Sequence, residues 1–106
     1  MNGLLTQLVS DVKAGLQEIY GRRLRSVYLF GSYARGQQTN ESDLDVLIVL
    51  DRIDDYGAEI ERTGYLISAV SIQYDVSVSR ILVSDAEWRE ERSPFFESVR
   101  EDAIAV

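Results

Sequence analysis

The sequence predicts an α+β fold, a small mixed β-sheet with helices packed on it. Three observations lead there. Leu4, Leu8, Val12, Leu16 and Ile19 fall on one face of a helix at the start of the chain. Two compact apolar runs follow, Val27-Tyr28-Leu29-Phe30 and Val46-Leu47-Ile48-Val49-Leu50, with a glycine-punctuated connection between them. From there to the end, helical and alternating patterns are interspersed, with no repeat, linker or low-complexity segment.

The first helix spans 4 to about 20, where Gly21 suits a helix end and Arg22 and Arg23 suit its C-terminal charge. A strand then runs from Ser26 to Phe30 and closes at Gly31, and Ser32 to Arg35 can open a short helix. Gln37 to Ser42 is polar and reads as a loop, and a second strand runs from Asp43 to about Leu50. After Asp51 the spacing turns helical through Ile53, Tyr56, Ile60, Ile67 and Val70. Gly57 and Gly64 within it allow either close packing or a break near Gly64, each costing about 1 kcal/mol against alanine.

Ile72 to Val78 alternates as a strand, with Ile72, Tyr74, Val76 and Val78 on one side and Gln73, Asp75, Ser77 and Ser79 on the other. Ile81 to Val83 continues it or belongs to a strand after a bend near Arg80. Ser84-Asp85-Ala86-Glu87 is a capping box with Val83 and Trp88 as its hydrophobic staple, starting a helix to about Arg92. Ser93-Pro94 starts another, carrying Phe95, Phe96 and Val99 toward about Ala103.

With 106 residues the chain reads as a single domain, 1–106, able to bury about two thirds of its unfolded surface. No apolar run approaches the roughly 20 residues that span a bilayer, and no basic-then-apolar start signals secretion. The absence of cysteine fits a cytoplasmic location and excludes thiolate chemistry. There is no histidine either, so any metal must be held by oxygen, which points to magnesium, manganese or calcium. The formal net charge of -7 argues against direct nucleic-acid binding along an extended surface.

The chemistry concentrates in residues 31–45. Strand alternation sends Asp43 and Asp45 to one face, and two like charges on an otherwise apolar strand call for a cation. Glycine at position 31 lets a phosphate approach the backbone, with Ser32 and the following amides holding it. Transfer from a nucleoside triphosphate needs these parts: a phosphate cradle, charge compensation at the attacked phosphorus, and two divalent ions about 4 Å apart on carboxylates. Asp75 is the best candidate for a third carboxylate, because it is acidic inside an alternating apolar run; the alternative is a solvated aspartate on an edge strand. Arg35 either contacts a phosphate or steadies the loop through a carboxylate, and Ser42 either shapes the loop or orients Asp43.

The string Gly31-Ser32, Arg35-Gly36 and Ser42-Asp43-Leu44-Asp45 resembles the signature of the DNA-polymerase-β-like nucleotidyltransferase superfamily. The small size is similar to its minimal nucleotidyltransferase (MNT) branch. The resemblance implies the palm-like fold, with the family's Gly-Ser at Gly31 and Ser32 and its carboxylates at Asp43, Asp45 and Asp75. It also implies two Mg²⁺ ions (Mn²⁺ can substitute), ATP as substrate, and a HEPN-domain ribonuclease toxin as partner, with the chain as antitoxin transferring AMP to a toxin tyrosine. Two other functions are compatible with the sequence: nucleotidyl transfer to a small-molecule hydroxyl, and a non-catalytic antitoxin that blocks its partner in a hetero-complex or oligomer.

Overall fold

The computed structural model describes residues 3–106. Helix α1, Gly3–Tyr20, buries Leu5, Leu8, Val9, Val12, Leu16 and Tyr20 along one face, whereas Leu4, which its spacing also placed on that face, is exposed at the helix start. A 3₁₀ turn, Gly21–Arg23, leads into β1, Leu24–Phe30. The five-residue helix α2, Gly31–Arg35, follows at once and closes on Gly36 in the left-handed conformation. Strand β2, Leu44–Leu50, comes after the polar loop, then helix α3, Tyr56–Tyr74, capped by the Asp55 side chain on the Ala58 amide. Strand β3, Val78–Ser84, precedes helices α4, Asp85–Glu90, and α5, Pro94–Asp102, and the short strand β4, Ile104–Ala105, is the last element.

The sheet order is β3-β2-β1-β4, with β2 parallel to β3 and antiparallel to β1, so the predicted mixed sheet is observed. Alternation divides β2 cleanly. Leu44, Val46, Ile48 and Leu50 join the core built by α1 and α3, and Leu47 and Val49 face a second core holding Val83, Val99, Trp88 and Phe96. Asp45 shares the parity of Leu47 and Val49, so it lies on the second face at its outer end, half-buried. The Ser84–Glu87 capping box and the Ser93 cap with Pro94 form as the sequence predicts. None of the helices described is long and apolar enough to cross a membrane.

Helix α3 runs through Gly64 without a break, which decides the alternative left open there. One expectation is corrected: α3 also runs through Ile72, Gln73 and Tyr74, so the expected strand at 72–78 begins only at Val78. The alternation misled because Ile72 is exposed to solvent (82%) and not a core residue. Tyr74 instead lies at the end of α3, where its hydroxyl donates to Asp11 of α1.

Candidate active site

Gly31 joins β1 to α2 with φ at +76°, a backbone conformation that a side chain penalises. Space matters as much: a β-carbon at Gly31 would lie 2.3 Å from Oδ2 of Asp45. Asp45 is in register with Phe30 on β1, so its carboxylate reaches over the start of α2. On its other side it is in register with Ser79 of β3, whose hydroxyl donates to Asp45 Oδ1 at 2.5 Å. One oxygen of Asp45 is thus fixed by Ser79 and the other lies over Gly31. Asp43 stands one residue before β2 and is exposed, at the open end of the same strand.

The structure therefore brings Gly31 and Asp45 together; Ser32 follows Gly31 as the second residue of α2, and Asp43 precedes Asp45 by two residues on the same chain segment. Asp75 is placed differently from the expectation. It is the residue that closes α3, with φ 53° and ψ 44°, a left-handed position that aspartate tolerates better than most residues. Its amide bonds Ser71 O, as does the Val76 amide at 3.2 Å, so the helix end holds residue 75 off the strand that would have aimed it at Asp45. Among the described residues no group of three acidic side chains is arranged to hold a metal ion.

Arg35 is occupied by a carboxylate. Its Nη1 donates to Asp102 Oδ2 of α5 at 2.6 Å and its Nε to Gln37 Oε1 at 3.1 Å, so the guanidinium ties α2 and its loop to α5. Ser42 shapes the loop: its hydroxyl oxygen accepts the Thr39 amide at 2.9 Å. Tyr33 lines a groove of about 160 Å³ with Leu4, Leu5, Leu8, Tyr74 and Val76, next to the site.

A second charged cluster, at the opposite end of the sheet, escaped the sequence reading. Glu59 is almost fully buried and accepts from Tyr20 Oη at 2.9 Å, Arg23 Nη2 at 3.1 Å and Arg62 Nε at 3.0 Å. Burial alone would raise its pKa, but the Tyr20 and Arg23 hydrogen bonds and the charges of Arg23 and Arg62 outweigh it and hold the carboxyl below its usual range. Burial, then Glu59, push the Tyr20 hydroxyl well above the usual tyrosine value. Arg80, on the helix-facing side of β3, donates to Thr63 Oγ1 at 2.8 Å and Ile60 O at 2.7 Å, tying β3 to α3. The signal for Glu59 was its spacing with Thr63, Ile67 and Val70, which continues the buried stripe of α3.

The nucleotidyltransferase domain family model matches residues 9–102. A Methanocaldococcus jannaschii relative named "Putative protein adenylyltransferase" is 39% identical over 77 residues, which is 73% of this chain and 71% of the relative. Protein adenylyltransferase MntA of Thermococcus cleftensis is 32% identical over 80 residues, 76% of this chain and 79% of the relative. Among solved structures, a toxin–antitoxin crystallised with AMP-PNP superposes with a TM-score of 0.62 at 26% identity, over 90% of this chain and 69% of that one. The glycine that cannot accept a side chain beside Asp45 and the match across nearly the whole chain lead to one assignment: this chain belongs to the nucleotidyltransferase domain family, in its minimal branch.

Proposed function

We propose that the chain is an ATP-dependent protein adenylyltransferase, the antitoxin of a pair whose toxin carries a HEPN domain, and that it transfers AMP to a tyrosine of that toxin. The observation that carries the site assignment is the packing of Asp45 Oδ2 over a glycine at positive φ. In this reading the triphosphate lies at the start of α2, with Asp43 and Asp45 of the neighbouring strand supplying carboxylates to it. Two carboxylates and no nitrogen or sulfur donor fit a hard divalent ion such as Mg²⁺. Such an ion, when bound, offsets charge on the phosphates and polarises the attacked phosphorus.

The residues of the chain do the rest. Gly31 gives the phosphates access to the backbone, and Ser32 offers a hydroxyl to them. Ser79 keeps Asp45 from rotating away. The tyrosine hydroxyl of the partner gives up its proton to solvent as its oxygen attacks the α-phosphorus, a P–O bond to AMP forms, and pyrophosphate leaves as the opposite P–O bond breaks. Asp75 is left out of this ligand set, because it closes α3 and no three-carboxylate group is found among the described residues.

The partner assignment rests on the family resemblance and on the toxin–antitoxin likeness. The test is to incubate the purified chain with ATP, Mg²⁺ and the protein encoded beside it, then read intact mass. The expected result is addition of AMP to the partner, abolished when Asp43→Asn and Asp45→Asn are combined. That no three-carboxylate group is found among the described residues favours a second reading, an antitoxin acting by occlusion. That reading wins if the double variant neutralises the toxin as fully as the parent chain.

A further inference from the structure

Residues in register on neighbouring strands stand side by side with side chains on one face. The positions from which a neighbouring strand can reach the Asp45 carboxylate are therefore few. On the β1 side the register partner is Phe30. On the β3 side it is Ser79, and the next place inward on that face is Ile81, opposite Leu47. One step outward lies Ser77, whose carbonyl accepts the Leu44 amide at 2.8 Å. An aromatic ring, an aliphatic chain and two hydroxyls fill the places where a third acidic ligand would have to stand. Asp102 of α5 is taken by Arg35 at 2.6 Å.

Two divalent ions about 4 Å apart repel four times as strongly as two unit charges at that distance, and sites that hold such pairs do so with bridging carboxylates. Asp43 and Asp45 supply two negative charges. One oxygen of Asp45 is already accepting a hydrogen bond from Ser79, which leaves fewer lone pairs for bridging. We infer that this site holds a single divalent ion with its nucleotide, and that Ser79 stands at the place of the absent third carboxylate. Ser79 acts as a positioning residue: its hydroxyl sets the rotamer of Asp45, so that Oδ2 stays over Gly31. The inference rests on the reading of Asp43 and Asp45 as an ion-holding pair in a nucleotide site.

The experiment counts ions. The whole chain is equilibrated by dialysis with Mn²⁺ and AMP-PNP, and protein-bound Mn²⁺ is measured per bound nucleotide. The expected ratio is one for the parent chain and two for Ser79→Asp, with circular dichroism confirming that the variant is folded. Ser79→Ala keeps the ratio at one and loosens Mn²⁺ by about tenfold, the usual effect of removing a hydrogen bond that orients a metal-binding side chain. Two ions per nucleotide on the parent chain overturn the inference while leaving the nucleotide site standing. A folded Ser79→Asp that still holds one ion overturns the placement of Ser79, and the parent count decides the stoichiometry if that variant fails to fold. A parent chain that retains no AMP-PNP sinks both this inference and the proposed function.

Discussion

Asp45 occupies the space that a side chain on Gly31 would need: a β-carbon built at Gly31 falls 2.3 Å from Asp45 Oδ2 and 3.2 Å from its Cγ. Gly36, at the other end of α2, has a similar backbone, φ +70°, but nothing within 4 Å of the same built atom. The two glycines separate conformational strain from displacement of the carboxylate. Both Gly31→Ala and Gly36→Ala should cost about 1 kcal/mol of stability for the left-handed backbone. Gly31→Ala alone must also push Asp45 off Ser79. AMP transfer should therefore fall by at least a hundredfold in Gly31→Ala and by less than threefold in Gly36→Ala. Thermal unfolding and a mass-based transfer assay on the two variants check this, and equal activity losses would show that Asp45 has room to yield.

Arg35 and Asp102 give a second test, because the guanidinium links the phosphate-side helix to α5. The pair is partly exposed, 45% and 18%, so it should add less than about 1 kcal/mol to stability. If the guanidinium acts by placing α2, Arg35→Ala and Asp102→Asn should raise the KM for ATP to a similar degree, and the double variant should be no worse than either alone. The alternative has an opposite signature. An arginine that binds phosphate would lose affinity in Arg35→Ala and gain it when Asp102→Asn frees the guanidinium.

Glu59 sets the acid limit of the fold. Its carboxyl is harder to protonate in the folded chain than in the unfolded one, since the Tyr20 and Arg23 hydrogen bonds and the neighbouring guanidinium charges outweigh its burial. A group with a lowered folded pKa contributes its stability above the unfolded value, about 4.3 for glutamate, and loses it as pH falls through the folded value. Glu59→Gln should cost about 2 kcal/mol at pH 7, because Arg23 and Arg62 lose their buried counter-charge. The difference between parent and variant should shrink steadily below about pH 4. Tyr20 works at the other extreme: its raised pKa contributes stability that fades as pH climbs above about 10. Urea unfolding across pH 3 to 11 measures both limbs, and a constant parent–variant gap at low pH would show that the Glu59 charge is not the source.

How much of this was legible depends on whether the signal was local. The Ser84–Glu87 capping box, the Ser93-Pro94 start and the Gly31 turn were readable because each is a short stretch with its own backbone chemistry. The split of β2 into two faces was readable because strand alternation is a period-2 rule. Asp75 was misplaced because Ile72, Tyr74 and Val76 alternate while the first two still belong to α3, and an exposed isoleucine carries no mark of its exposure in the sequence. Ser79 gave no warning either. Its bond to Asp45 depends on the parallel register of β2 and β3 across a helix, and nothing near residue 79 encodes that pairing. The Glu59 cluster draws partners from α1, the 3₁₀ turn and its own helix, so its ligands could be known only once the chain was folded.

The seam between α1 and α3 supplies a last test, in which two helical glycines should respond with opposite signs. Gly64 lies inside α3 with nothing within 4 Å of a built β-carbon, so Gly64→Ala gains helix propensity at no steric cost. It should stabilise by about 0.5–1 kcal/mol, raising Tm by roughly 3–6 °C for a chain of this size. Gly15 lies inside α1, where the same atom would fall 2.4 Å from Leu66 Cδ1 and 2.8 Å from Leu66 Cδ2. Alanine there gains the same propensity, but Leu66 must leave its place between the helices, and overpacking of that kind costs about 1–3 kcal/mol. The net for Gly15→Ala is a loss of about 1 kcal/mol, which thermal unfolding resolves easily. A rise in Tm for Gly15→Ala would mean that the Leu66 side chain swings clear without penalty, and the close approach of α1 to α3 would then contribute little to holding the helices on the sheet.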